Sequence, residues 1–362
     1  MNLIRYIVIF FISAFINFNV LAEPTFVDAF DVESEEAEPR GLTFNNDGTK
    51  MFVTGWRGDD VNEYILSEPF DVSTATFVQQ SFDINSDPRD VKFNPDGTKM
   101  FVLGRGTRAR VFELSLTTAF DVSTASSVDN FNVNDQDSAA NGLAFNLDGT
   151  KMFIVGPNQD FVNEYTLTTG FDISTATYDG DDERFFVQNE EAQPMDVDFN
   201  SDGSKMYIVG WAGNDITEYA LTTPFDVSTA SVAGTFSVNS EDTDPAALAF
   251  SSDGTKMFVI GDIGNDVNEY TLSCFYGVVN CSNPAVSQEV LGTIEAQTAA
   301  PKRIVQHVTT PLLNRMYWLR RYRNEDSLSN HNVKFQFSNS MLASLSKVIP
   351  VSNKTNDALD KL

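Results

Sequence analysis

Asn45-Asn46-Asp47-Gly48-Thr49-Lys50-Met51-Phe52-Val53 decides the fold, because the chain writes this stretch five times with small changes. Later copies start at Asn94, Asn146, Asn200 and Ser251, and their Asp-Gly pairs fall at Asp96-Gly97, Asp148-Gly149, Asp202-Gly203 and Asp253-Gly254. The successive offsets are 49, 52, 54 and 51 residues, a period that marks a repeat architecture. Asn-x-Asp-Gly reads as a hairpin turn, since these residues tolerate the positive φ that such turns demand. A short apolar strand precedes it, Leu42–Phe44 in the first copy, and a second, Met51–Thr54, runs from it to a glycine.

The third strand reads Val61-Asn62-Glu63-Tyr64-Ile65-Leu66, with counterparts at 162–167, 216–221 and 267–272. Next comes Phe70-Asp71-Val72-Ser73-Thr74-Ala75, repeated at 120–125, 171–176 and 225–230, whose Asp and Ser/Thr side chains suit a capped loop. A fourth strand is expected around Phe82, Phe131, Phe185 and Phe236. Four short antiparallel strands in each unit of about 50 residues is the pattern of a propeller blade. Copy five, however, stops after its third strand at Leu272. The missing piece stands at the other end, where Asp28-Ala29-Phe30-Asp31-Val32 matches the fourth-strand pattern. Phe30 precedes Phe44 by 14 residues, as Phe131 precedes Phe145 and Phe236 precedes Phe250. The expectation is an all-β, five-bladed β-propeller over residues 23–282. Its N-terminal strand completes the last blade and removes the free sheet edges.

Both flanks differ from this body. Residues 1–22 carry one charge, Arg5, then an apolar run from Ile7 to Ile12, and end in Val20-Leu21-Ala22. That is the layout of a secretory signal peptide cut between Ala22 and Glu23. Asn17 and Asn19 interrupt the apolar core, which is short for a membrane span. The chain therefore reads as exported: extracellular, on the cell surface or in the periplasm of a Gram-negative bacterium. In such a compartment the only two cysteines, Cys274 and Cys281, are expected to form one disulfide closing a short loop.

The net charge of −27 is concentrated in the repeats. The first 22 residues contribute +1 and residues 283–362 contribute +4, which leaves −32 for residues 23–282. A body this acidic repels phosphate backbones and excludes nucleic acid as a partner. It leaves a cation, a carbohydrate or an extracellular protein as the partner classes. Residues 283–362 change character: Ile304, Val305, Val308, Leu312 and Leu313 follow a helical pattern, broken at Pro311 and closed by Arg320-Arg321-Tyr322-Arg323. This region reads as a linker with short helical pieces.

The Asn-x-Asp-Gly-Thr-Lys-Met-Phe-Val copies resemble the repeats of secreted WD-type and lactonase-like propellers over about residues 25–273. The resemblance implies the fold, which serves many unrelated activities. Leu291–Gln297 and Asn314–Arg321 resemble the segment that precedes the membrane barrel of proteobacterial autotransporters. That resemblance implies an autotransporter passenger whose barrel lies beyond residue 362. The chain departs from the pattern in that no alternating barrel strands follow.

Histidine chemistry is absent from the repeats, since His307 and His331 both lie after them. This removes Ser/His/Asp triads and histidine-ligated metals from the ring. Glu63, Glu113, Glu164, Glu218 and Glu269 occupy one place in every copy. A catalytic acid is needed once, so residues present five times are read as blade architecture. The loops entering each copy are acidic but unequal, with Glu35 and Glu36, Glu190, Glu241 and Asp242 among their residues. By strand order they share a face with Trp56, Trp211, Asp60, Asp215 and Asp266. The expectation is one acidic face with two exposed tryptophans, Trp56 and Trp211, beside Glu35 and Glu36. Asp60, Asp215, Asp266, Glu190, Glu241 and Asp242 are candidate Ca²⁺ ligands; no other cofactor and no catalytic residue is indicated. The favoured function is a secreted or surface-displayed binding module for adhesion or ligand capture. The competing class is a carboxylate-dependent carbohydrate hydrolase or lyase on the propeller face.

Overall fold

The computed structural model describes residues 24–81, 84 and 86–272. The candidate disulfide Cys274–Cys281, the cleavage site Ala22–Glu23 and the region 283–362 lie outside the described residues. Five antiparallel sheets succeed one another along the chain. The first strands are Pro39–Phe44, Pro88–Phe93, Gly142–Phe145, Pro194–Phe199 and Pro245–Phe250, and each pairs with the second strand of its own blade. The only helices among the described residues are five short 3₁₀ turns.

The N-terminal strand, Thr25–Asp31, pairs with Asp266–Thr271 of the last copy, with Phe30 opposite Val267 and Thr25 opposite Thr271. Blade five is thus assembled from both ends of the repeat region. Blade three departs from the regular pattern. Its outer strand is split into Ala176–Tyr178 and Phe185–Phe186 by an inserted turn at Asp181–Glu183. The other outer strands start directly after the 3₁₀ turn, at Ala75, Ala125 and Ala230, earlier than the Phe positions alone suggest.

Each repeated residue has a mechanical role. Asp47 Oδ1 accepts from the Thr49 amide and hydroxyl, which fixes the hairpin. Gly48 has φ +72° and lies against the Phe70 ring so closely that a Cβ would meet it at 2.1 Å. Only glycine satisfies both demands. The repeated carboxylate and lysine join neighbouring blades. Lys50 Nζ lies 2.5 Å from Glu63 Oε1 and donates to the Phe120 carbonyl in blade two at 2.7 Å. The other oxygen, Glu63 Oε2, accepts from the Val122 amide, also in blade two. Lys99 and Glu113 grip Phe171 and Ile173 of blade three in the same way. The same latch closes the ring: Lys256 donates to the Phe70 carbonyl at 2.6 Å and Glu269 accepts from the Val72 amide at 3.1 Å.

Between blades the core is aromatic. Phe93 meets Phe52 at 4.5 Å between ring centroids, Phe145 meets Phe101 at 4.7 Å, and Phe199 meets Phe153 at 4.4 Å. Phe44 meets Phe258 at 4.4 Å, the equivalent contact across the closure. Such pairs add about 0.5–1.5 kcal/mol each beyond area burial. The fifth blade is therefore held to the first by the same contacts that join blades one to two, two to three and three to four.

Candidate functional site

The first strand of every blade borders the axis, and its leading residues ring one end of it. After the opening Pro or Ala, the five blades supply Arg40, Arg89, Asn141, Met195 and Ala246. The residue after the terminal glycine of the second strand joins this ring: Trp56, Arg105, Pro157, Trp211 and Asp262. Backbone bonds hold the two sets together, from Trp56 N to the Glu38 carbonyl and from Trp211 N to the Gln193 carbonyl. In a repeat that is otherwise copied closely, neither position carries one residue type around the ring: the first reads Arg, Arg, Asn, Met, Ala and the second Trp, Arg, Pro, Trp, Asp. Nothing in the sheet geometry requires the difference.

They enclose a cavity of about 360 Å³ on the side of blades two to four. Arg89, Arg105, Asn141 and Gln193 give it polar groups, while Pro157, Met195 and Trp211 give it an apolar wall. Arg89 is 8% exposed, and its Nε has no hydrogen-bond partner among the described residues. Its guanidinium stacks on the Trp56 ring, 5.3 Å from the centroid. Arg40 stacks on Trp211 at 4.8 Å, and its charge is met by Asp262 at 2.5 Å. Arg105 Nη1 donates to Asn141 Oδ1 at 3.0 Å, and the Asn141 amide in turn faces Met195 Sδ at 3.1 Å. Neither Arg89 nor Arg105 has an ion pair among the described residues. Burial first, and then the charges of Arg105 and Arg40, push Arg89 down to about 10. Burial also lowers Arg105. Proteins rarely bury a guanidinium without a counter-charge, because the desolvation cost is large.

Further along the same strands the axis is filled by ions. Asp90 reaches across to the Leu143 amide of blade three, and Asp196 to the Leu248 amide of blade five. Lys92 Nζ lies 3.2 Å from Asp90 and 3.9 Å from Asp196, with Asp198 also in its field. Burial, aided by the charge of Asp90, raises Asp196 well above the usual carboxylate range. Burial lifts Asp198 to about 6, against the pull of Lys92. The strands approach so closely here that a Cβ on Gly41 would lie 2.7 Å from the Asp90 Cα, and one on Gly142 2.6 Å from the Asp196 Cα.

The residues anticipated for a ligand face lie on this end, in two different roles. Trp56 is 47% exposed, but Trp211 is half-buried and carries Arg40 on one face. Glu36 is not a surface residue. It is buried and caps the next loop, accepting from the amides of Glu38, Arg57 and Gly58. Glu191 does the same in blade four for Gln193, Ala212 and Gly213. Glu35 and Glu190 are half-buried beside these caps. The candidate calcium ligands are spread around the ring. Asp60 is buried with Asn62 donating to it, and Asp215 and Asp266 occupy the equivalent places in blades four and five. Glu241 accepts from the Tyr270 hydroxyl, and Asp242 is a buried cap for Asp244. Among the described residues, no group of three His, Cys, Asp or Glu side chains could hold a metal ion.

The arginines are what sequence reading missed. Blade-by-blade alignment at the second residue of the first strand, Arg40 in blade one, and at the residue after Gly104 and its counterparts, would have exposed them, since unequal residues at an otherwise repeated place are the available signal.

No protein-family model and no curated protein matches the chain. Solved structures similar to it include a functionally unknown protein from Desulfotomaculum acetoxidans, 14% identical over 63% of this chain and 68% of that one, with a TM-score of 0.41. A 6-phosphogluconolactonase-like protein from Bacteroides fragilis is 13% identical over 65% and 71%, with a TM-score of 0.39. A luciferin-regenerating enzyme is 11% identical over 68% and 95%, with a TM-score of 0.43. At these values the activities of those proteins do not bear on this chain.

Proposed function

We propose that the chain is an exported ligand-binding module and that its ligand enters the cavity at the axial mouth. One observation carries this reading: the ring positions that the repeat could have filled identically are unequal at this end of the axis, and they enclose a cavity. Its volume lies at the small end of the range for organic ligands. Its mixture of an apolar wall and a few convergent polar groups fits a small molecule better than a protein surface. Export rests on the signal-like residues 1–22, and display as an autotransporter passenger on the likeness after Ser282. A hydrolase acting through paired acids needs two carboxylates facing a shared space. The described residues lining the cavity include none.

The test is a thermal-shift screen of a chemically varied set of small molecules, repeated on Trp211→Ala. Compounds that stabilise the protein are expected to lose their effect in the variant, since a ligand stabilises only the state that binds it. Stabilising compounds that act equally on Trp211→Ala and Arg89→Ala would place the site elsewhere and end this reading.

A further inference from the structure

We infer that the ligand is a small organic carboxylate, a monoanion with an apolar or ring-shaped body, held by Arg89; this rests on the mouth being the ligand site. Arg89 is the unsatisfied group. It is more than nine-tenths buried, lines the cavity, lacks an ion pair among the described residues, and its Nε has no partner. The guanidinium lies over the Trp56 ring, with Cζ 5.3 Å from the centroid, and no hydrogen bond to the described residues takes up its N–H edge. That edge is a fork of parallel N–H donors whose spacing matches the two oxygens of a carboxylate. An anion there supplies the missing counter-charge and a pair of charge-assisted hydrogen bonds.

The rest of the cavity selects among anions. Arg40 already has Asp262, so it adds little unspent charge. Arg105 is partly engaged by Asn141 and adds a second, weaker attraction. The surrounding body is strongly acidic, and its field opposes a dianion roughly twice as strongly as a monoanion. A phosphate is therefore disfavoured relative to a carboxylate of one charge. Trp211, Met195 and Pro157 present apolar surface that inorganic anions cannot use and an organic body can. Gln193 stands exposed at the rim, where it can meet a polar substituent.

Calorimetric titration of the full chain with sodium benzoate, benzamide and inorganic phosphate at matched ionic strength tests this. Benzamide keeps the size of benzoate and removes its charge. The expected result is benzoate binding at least tenfold tighter than either of the others. Arg89→Gln should weaken benzoate at least tenfold, and Arg105→Gln by a smaller factor, with the circular dichroism of both unchanged. Should Arg89→Gln fail to fold, Arg89→Lys, which keeps the charge but loses the fork, must still weaken benzoate severalfold. Benzamide or phosphate binding as tightly as benzoate overturns the carboxylate inference. So does the absence of benzoate binding; neutral compounds whose stabilisation vanishes in Trp211→Ala would then still leave the mouth as the site. Benzoate binding undiminished in both Arg89→Gln and Trp211→Ala overturns the inference and the proposed site together.

Discussion

The second strand of each blade begins in a latch and ends at the mouth, and the two ends obey opposite rules. At the latch end Lys50, Lys99, Lys151, Lys205 and Lys256 pair with Glu63, Glu113, Glu164, Glu218 and Glu269 without exception. At the mouth end the equivalent residues are Trp56, Arg105, Pro157, Trp211 and Asp262. A group that holds one blade to the next is needed at every interface, so it is copied. A ligand breaks the fivefold symmetry, so the groups that meet it need not match. Repetition marks architecture, and its local failure marks a site.

The largest effect should come from breaking a latch. Glu113→Ala leaves the buried Ile173 amide without a partner and takes the counter-charge from Lys99, which keeps only the Phe171 carbonyl, at a cost of about 3 kcal/mol. At about 2–4 °C per kcal/mol for a domain of this size, the melting temperature should fall by roughly 10 °C in calorimetry. Next is Gly142→Ala, whose Cβ has no room beside Asp196 and must part the inner strands, at about 1–3 kcal/mol. A chemical-denaturation midpoint lowered with an unchanged slope is the expected readout.

The ion cluster in the axis gives a smaller, signed effect. Asp198 holds a proton in the fold up to about pH 6, whereas an ordinary aspartate releases it near 3.8. Its contribution is fully present below the lower value and is lost as the pH rises through the upper one. Melting at pH 5.5 should therefore exceed that at pH 7.5, with Asp198 accounting for about 1 kcal/mol. In Asp198→Asn this part of the difference should vanish. The smallest change is predicted for Arg89→Met, which removes a buried cation that lacks a counter-charge. Without ligand, the melting temperature should be unchanged or raised by up to about 1 kcal/mol equivalent.

The architecture was legible in the residues because local demands were repeated. Gly48 and its counterparts had to be glycine, and the 14-residue step from Phe30 to Phe44 placed the N-terminal strand in blade five. Burial was less legible. Glu36 and Asp242 look like surface acids in a loop, and only the fold shows them turned inward to satisfy loop amides. Arg89 was hidden for a related reason. The sequence shows an arginine after a proline, as at Arg40, while its meaning lies in what does not face it across the axis. An acidic total of −27 also points away from a cationic pocket, since net charge says nothing of local arrangement.

The most direct test of the contrast between latch and mouth is a set of ligand-free melting curves. One group comprises Glu63→Ala, Glu113→Ala, Glu164→Ala and Glu269→Ala; the other comprises Trp56→Ala, Arg89→Ala and Arg105→Ala. The account predicts two separate groups, with every latch variant melting well below every mouth variant. Mouth variants that melt as low as the latch variants would contradict it, because the unequal residues would then be holding up the fold.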